Sequence, residues 1–199
     1  MELITSLKPD LIICWEGEDE RLLREKGFNL FVINLGGVES VMQMILDLSE
    51  VVGEKERGDS IVQEMRKKVE WVQEKLKDVK SKPKVYFEGY GGVGATRGPG
   101  SLTHNLIELA GGENIVGDLD KGFLRVSQEY IIMADPDVII VEYRGADPEE
   151  IMSRPGWENI TAVKTKRVYK QESYYTNYTP RCVEGLLQYA KWFHPEVFE

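Results

Sequence analysis

The sequence predicts an α/β protein built as two α/β units on either side of one long helix. Three observations carry this expectation. Short apolar runs alternate with charged helical stretches in the first third of the chain, and the same alternation returns after residue 82. Between the two regions Glu54 to Lys80 runs without proline, and its only glycine is Gly58 near the start. Parallel strands need a crossover and helical cover, so this alternation reads as βαβ units rather than hairpins.

The first unit opens with an apolar run at Leu11 to Trp15, followed by a charged helical stretch from Asp19 to Lys26 and a second run at Leu30 to Ile33. Gly27 stands where a helix would end in the left-handed conformation that glycine adopts without penalty. Val38 to Val52 places Val41, Ile45, Leu48 and Val52 at spacings of one helical turn, which is one apolar face. In the long stretch Ile61, Met65, Val69, Val72, Leu76 and Val79 form a single stripe among charged residues. A helix over all of Glu54–Lys80 would be about 40 Å long. That is more than one compact lobe needs, so it reads as a spine between two lobes, and Ser81-Lys82-Pro83 ends it.

The second unit begins with a strand at Val85 to Glu88, a helix over Ser101 to Ala110 stopped by Gly111-Gly112, and a helix over Ser127 to Ala134 capped by Ser127. Asp135-Pro136-Asp137 turns the chain into Val138 to Val141, the most strand-like run present. Arg167 to Lys170 supplies a short strand, and Pro180 to Phe193 a terminal amphipathic helix with Val183, Leu186, Leu187 and Ala190 facing inward.

Composition excludes several functions. With 199 residues, 42% of them hydrophobic, the chain can bury a substantial core. Its 25 basic against 34 acidic residues give a net charge of −9, which argues against nucleic acid as a partner because phosphate binding needs clustered Lys and Arg. No run approaches 18 apolar residues, and Met1 to Pro9 has neither a basic segment nor an apolar core, so the chain as given reads as having no membrane span and no secretion signal. Cys14 and Cys182 are isolated and far in sequence from His104 and His194, which leaves no zinc-ligand spacing. Buried thiols are favoured over a distant Cys/His pair, and spacing alone leaves a disulfide open. Carboxylate pairs such as Asp118 with Asp120 read as solvated surface.

Gly89-Tyr90-Gly91-Gly92-Val93-Gly94 fits the GxGxxG pattern after a strand. A dinucleotide site needs those glycines to open a helix, whose free amides hold the pyrophosphate. Here Thr96 to Gly100 intervenes before the helix at Ser101, so the segment reads as a flexible, cleft-lining loop. A nucleotide-using enzyme built on Gly89–Gly94 is the rival reading.

Several segments together carry a resemblance. Leu3 to Ile13, Leu109-Ala110-Gly111-Gly112-Glu113-Asn114-Ile115, Ala134 to Ile140, Pro180-Arg181 and His194-Pro195-Glu196 occur in the order found in class III substrate-binding proteins of ABC importers. Trp157, Ile160, Ala162-Val163-Lys164 and Arg167-Val168-Tyr169 follow the same pattern. The resemblance implies two α/β lobes bridged by a single long helix, with ligand held between them. It implies a ferric siderophore, haem or a corrinoid as ligand, an ABC permease as partner, an extracytoplasmic location, and no enzymatic activity. No catalytic residue, resident metal or cofactor is expected beyond the bound iron or cobalt chelate.

In the family the strand matching Ser6-Leu7-Lys8-Pro9-Asp10 comes well inside the first lobe. The expected organisation is therefore a partial N-terminal lobe over 1–53, the spine over 54–81 and a C-terminal lobe over 82–199. An incomplete lobe would leave a sheet edge uncovered, which invites a homodimer. The chain could then be an oligomeric interaction module without ligand capture. Without a signal of its own, a cytoplasmic location also stays open.

By the same resemblance Trp15 faces ligand, Glu20 docks on a permease arginine, and Glu149 or Glu150 docks from the second lobe. Ligands of open α/β sheets bind outside the C-terminal strand ends. That rule selects Tyr90 and Arg97, Tyr143 and Arg144, and Tyr174, Tyr175 and Tyr178 before Pro180-Arg181. Aromatic faces with guanidinium groups suit a large, partly apolar, anionic chelate. The candidate ligand set is Trp15, Tyr90, Arg97, Tyr143, Arg144, Tyr174, Tyr175 and Arg181.

Overall fold

The structure, a computed structural model, describes residues 2–120 and 122–198. A short helix α1 (Glu2–Leu7) precedes β1 (Ile12–Trp15), α2 (Glu18–Glu25) and β2 (Leu30–Ile33), and β1 pairs with β2 in parallel. Two helices follow, α3 (Val38–Val51) and α4 (Lys55–Leu76). The remainder comprises β3 (Lys84–Glu88), β4 (Ala95–Arg97), α5 (Leu102–Leu109), β5 (Glu113–Asn114), β6 (Phe123–Arg125) and α6 (Gln128–Ala134). After these come β7 (Val138–Val141), α7 (Pro148–Met152), α8 (Thr161–Lys164), β8 (Val168–Lys170) and α9 (Cys182–Phe193). The larger sheet is parallel in the order β5-β3-β7-β8.

Helices cover both faces of that sheet. Val85, Phe87, Val138 and Ile140 face a layer made by α3, α4, α5 and α9, in which Val41, Met65, Val72, Leu106, Leu186 and Ala190 are buried. Tyr86, Ile139 and Val141 alternate to the opposite face and pack on Ile131, Ile151, Trp157 and Ile160. Two-sided burial explains the unbroken apolar run at Val138–Val141. The smaller sheet has less cover. Leu23 of α2 is buried beside it, whereas Ile13 and Trp15 are about half exposed.

Most predicted elements form where local chemistry places them. Ser101 and Ser127 cap α5 and α6, each side-chain oxygen accepting from the backbone amide three residues on. Gly27 takes φ +80° just after α2. The long helix is shorter than the sequence suggests: α4 ends at Leu76, giving about 33 Å. The Val79 amide bonds the Leu76 carbonyl, so the last residue of the stripe is reached by a turn that leads to β3. A periodic pattern continues through such a turn and does not mark where packing stops.

The boundary expected at residue 53 falls between α3 and α4, which cross closely over one core. A side chain at Gly58 would sit 2.1 Å from Ser49 Oγ, so only glycine permits that approach. Both cysteines are free; Cys182 is buried and Cys14 partly so. Burial pushes the Cys182 thiol up to about 12, which leaves it without nucleophilic character at neutral pH.

Candidate functional site

A cleft opens where the C-terminal ends of β1 and β2 face the loops of the larger unit. One cavity of about 510 Å³ is lined by Trp15, Ile33 and Leu35 on one side and by Phe123 and Thr176 to Thr179 on the other. A second, of about 180 Å³, shares Phe123, Thr176, Asn177 and Tyr178 and continues inward to Arg97, Ser101, Thr103, Glu142 and Tyr143. The two form one continuous groove with an aromatic mouth and a charged floor.

Each wall residue has an identifiable support. Trp15 is the last residue of β1, and its ring meets Tyr178 edge-on at 5.2 Å. The Tyr178 hydroxyl accepts from the Gly36 amide and donates to the Gly36 carbonyl, both at 3.1 Å, joining the two sides of the cleft. The loop carrying Tyr178 is anchored beneath by buried Gln171, which accepts from Tyr189 and donates to Thr176 Oγ1 at 2.9 Å. Antiparallel pairing of β4 with β6 sets Arg97 opposite Phe123, and the guanidinium lies 4.5 Å from that ring. Arg97 also faces Glu142 at 3.5 Å, and both side chains are largely buried. The floor therefore offers one guanidinium balanced by one carboxylate, in a low-dielectric setting where such a pair can reorganise around a polar ligand.

Of the sequence-predicted set, Trp15, Arg97 and Tyr143 line the cleft. Five expected residues do not. Tyr90 is 64% exposed beyond the glycine loop. Arg144 is exposed and stacks over Tyr143 at 5.1 Å. Arg181 covers the Tyr174 ring at 3.5 Å and reaches Glu184, so these two residues engage each other outside the groove. Tyr175 packs on Tyr189 and Trp192 beside the main core, and Gly185 leaves no room for a side chain beneath it. Burial raises its phenol pKa above the usual value. Phe123 and Leu35 enter the wall without having been anticipated. Phe123 follows a Gly-Asp-rich stretch with no strand pattern, and only its pairing with Arg97 brings it to the site.

The glycine loop is held, not flexible. The Gly89, Gly92 and Ala95 amides donate hydrogen bonds to the Ala95, Gly89 and Gly92 carbonyls, the Gly94 amide donates to Tyr86 Oη at 2.9 Å, and Arg125 donates to the Gly91 carbonyl at 2.9 Å. Strand β4 follows directly, and α5 begins only at Leu102. No helix N-terminus meets the glycines, and these amides have internal partners, so the pyrophosphate cradle is missing. At Gly94 φ is +81° and a Cβ would lie 2.0 Å from the Val126 carbonyl oxygen. Gly94→Ala is expected to cost about 1–3 kcal/mol, read as a lowered Tm.

Below this loop lies a buried ion pair. Glu88, wholly inaccessible at the end of β3, receives both Arg154 nitrogens at 2.6 and 2.7 Å, and Tyr86 Oη lies 3.3 Å from the same carboxylate. Burial, reinforced by the Glu88 charge, pushes the Tyr86 phenol far above its usual pKa, so it remains a neutral hydrogen-bonding post. Arg154 also stacks over Trp157 at 4.8 Å.

The expected docking acids sit near the same end of the strands, because α2 follows β1 and α7 follows β7. Glu20 is mostly covered and pairs with Arg24 through two contacts of 2.7 and 2.9 Å. Glu149 and Glu150 are exposed in the first turn of α7, with Glu150 at 3.8 Å from Arg154. Among the described residues no group of three or more His, Cys, Asp or Glu is placed to hold a metal ion, and no helix is long and apolar enough to cross a membrane.

A small parallel sheet and a larger one, facing each other across a groove, define a two-unit α/β architecture with a cleft between the units. The profile of the periplasmic binding protein family matches residues 1–175, and the chain belongs to that family, in its class III form. It is 25% identical over 219 residues to an uncharacterised ABC transporter substrate-binding lipoprotein, YvrC of Bacillus subtilis, covering 100% of this chain and 66% of the relative. It is 26% identical over 207 residues to a cobalamin-binding protein of Halobacterium salinarum, covering 98% and 56%. Among solved structures, Helicobacter pylori CeuE with Ni(II) bound superposes with a TM-score of 0.90 at 25% identity, covering 99% of this chain and 65% of that one. The chain thus spans between about half and two thirds of the length of these proteins. These relatives are substrate-binding proteins of transporters and not enzymes.

Proposed function

We propose that this chain is the solute-binding component of an ABC importer, that it captures a metal chelate in the groove lined by Trp15, Phe123 and Tyr178, and that it delivers the chelate to a permease outside the cytoplasm. The observation that carries this reading is the continuous groove, with Trp15, Leu35, Phe123 and Tyr178 at its mouth and Arg97 beside Glu142 at its floor. Aromatic faces bury the apolar body of a ferric siderophore, haem or corrinoid, and the floor pair addresses its polar substituents. The cobalamin-binding relative supports the corrinoid among these ligands. Titration with ferric siderophores, haemin and cobalamin, followed by tryptophan fluorescence, tests the reading. Saturable quenching by one of them is expected, and no saturation with any would overturn it.

For delivery, Glu150 and Glu149 are open to a basic permease surface, whereas Glu20 must exchange Arg24 for a permease arginine. An intrahelical pair of this kind is worth about 0.3–0.5 kcal/mol, so the exchange is inexpensive. The double variant Glu20→Arg with Glu150→Arg is expected to weaken permease association at unchanged ligand affinity. Unaltered association would remove the docking assignment.

A second reading rests on the smaller sheet, where Ile13 and Trp15 of β1 and Leu3 and Leu7 of α1 are exposed by half or more. Two copies joined through this surface would cover it. Light scattering is expected to report a dimer at high protein concentration; a monomer throughout would dismiss the pairing.

A further inference from the structure

A second groove lies on the flank of the larger unit, between α4 and α9, and shares no residue with the cleft. Lys67, Lys68, Trp71, Leu187 and Lys191 line an open, shallow depression of about 410 Å³. Its position follows from helical spacing: Lys67, Trp71 and Lys75 recur every fourth residue along α4, and Leu187 and Lys191 repeat the interval on α9. Trp71 is 46% exposed, an unusual cost for the largest apolar side chain, and it is braced edge-on by Phe198 at 5.6 Å. Lys75 Nζ stands 5.8 Å from the Trp71 ring. Lys67, Lys68 and Lys191 make no ion pair among the described residues. Of the neighbouring acids, Glu74 is held by Lys77 and Glu184 by Arg181, while Glu64 and Glu70 each lie within one turn of the lysines on α4.

A braced tryptophan ringed by four lysines is the reverse of the −9 charge of the whole chain. We propose that this groove docks on the anionic phospholipid face of a membrane. Each part has a role there. The amphipathic Trp71 ring suits the headgroup boundary, and the lysine stems can lie along apolar surface while their ammonium groups meet phosphates. At physiological salt the screening length is about 8 Å, so a local cationic patch acts despite acidic charge elsewhere on the protein. Docking on this flank uses no residue that lines the cleft around Trp15 and Tyr178.

Co-sedimentation with phosphatidylcholine vesicles carrying one third phosphatidylglycerol tests the proposal, with pure phosphatidylcholine as reference. Binding is expected only to the anionic vesicles and should weaken with added salt. Each lysine near such a surface contributes roughly fivefold in affinity, so Lys67→Gln with Lys68→Gln and Lys191→Gln is expected to lower binding at least tenfold. Trp71→Phe should abolish most quenching by brominated lipid, and both variants should keep the parent Tm. Equal binding to both vesicle types, or anionic binding that survives the triple substitution, overturns the proposal. Competition by inorganic phosphate far beyond that of sodium chloride at equal ionic strength also overturns it, since that marks a soluble-anion site.

Discussion

Arg154→Met is expected to destabilise the protein by about 3–5 kcal/mol, because among the described residues it leaves the fully buried Glu88 carboxylate with the Tyr86 hydroxyl as its one side-chain hydrogen-bond partner. In a chain of this size that corresponds to a Tm lower by roughly 6–20 °C. The pair itself contributes less than its removal costs, since both charges were desolvated to form it. Removing both, as in Arg154→Met with Glu88→Leu, is therefore expected to recover much of the lost stability. Glu150→Gln, at an exposed carboxylate 3.8 Å from the same arginine, should change stability by less than about 0.5 kcal/mol. Thermal unfolding of the three variants checks the ordering. A double variant worse than the single one would show that Arg154 acts through Trp157 packing and not through the charge.

Trp15→Ala or Tyr178→Ala is expected to weaken chelate binding by about 2–3 kcal/mol, roughly 30- to 150-fold in Kd. Both rings stand at the mouth of the groove and touch each other from opposite sides, so each loss opens the wall and frees the partner ring. Tyr178→Phe keeps the ring and removes only the two bonds to Gly36. Its effect should stay below tenfold, as both bonds lie within the protein and the freed Gly36 groups can reach water. Isothermal titration separates the cases. A phenylalanine variant as weak as the alanine variant would make the clasp to Gly36, not the aromatic wall, the basis of affinity.

The order of elements was largely legible because it follows from local rules. Ser101 and Ser127 cap helices through their own side chains, Gly27 ends one through its backbone freedom, and the Val138–Val141 run reports burial on both sheet faces. The pairing of β4 with β6 was not legible. Ala95–Arg97 and Phe123–Arg125 are three residues each, too short for a periodic pattern, and they exist because they pair. The site divides in the same way. Trp15 and Arg97 follow from residue type at the end of a strand or its return. Tyr175 and Tyr178 are the same residue type in one loop, yet one packs on Tyr189 over Gly185 and the other reaches Gly36. The difference comes from the loop's turns, including the Tyr175 amide bonded to the Glu172 carbonyl and the Thr179 amide to the Asn177 carbonyl.

The sequence by itself determined the α/β class and the family, since both depend on patterns along the chain. Only the tertiary structure decided where α4 stops, which tyrosines belong to the core, and which side chains face one another across the groove. These outcomes depend on contacts between residues far apart in sequence, such as Gly36 with Tyr178 or Arg97 with Phe123. No local propensity encodes such a contact; it is selected when the packed core fixes the direction of each loop.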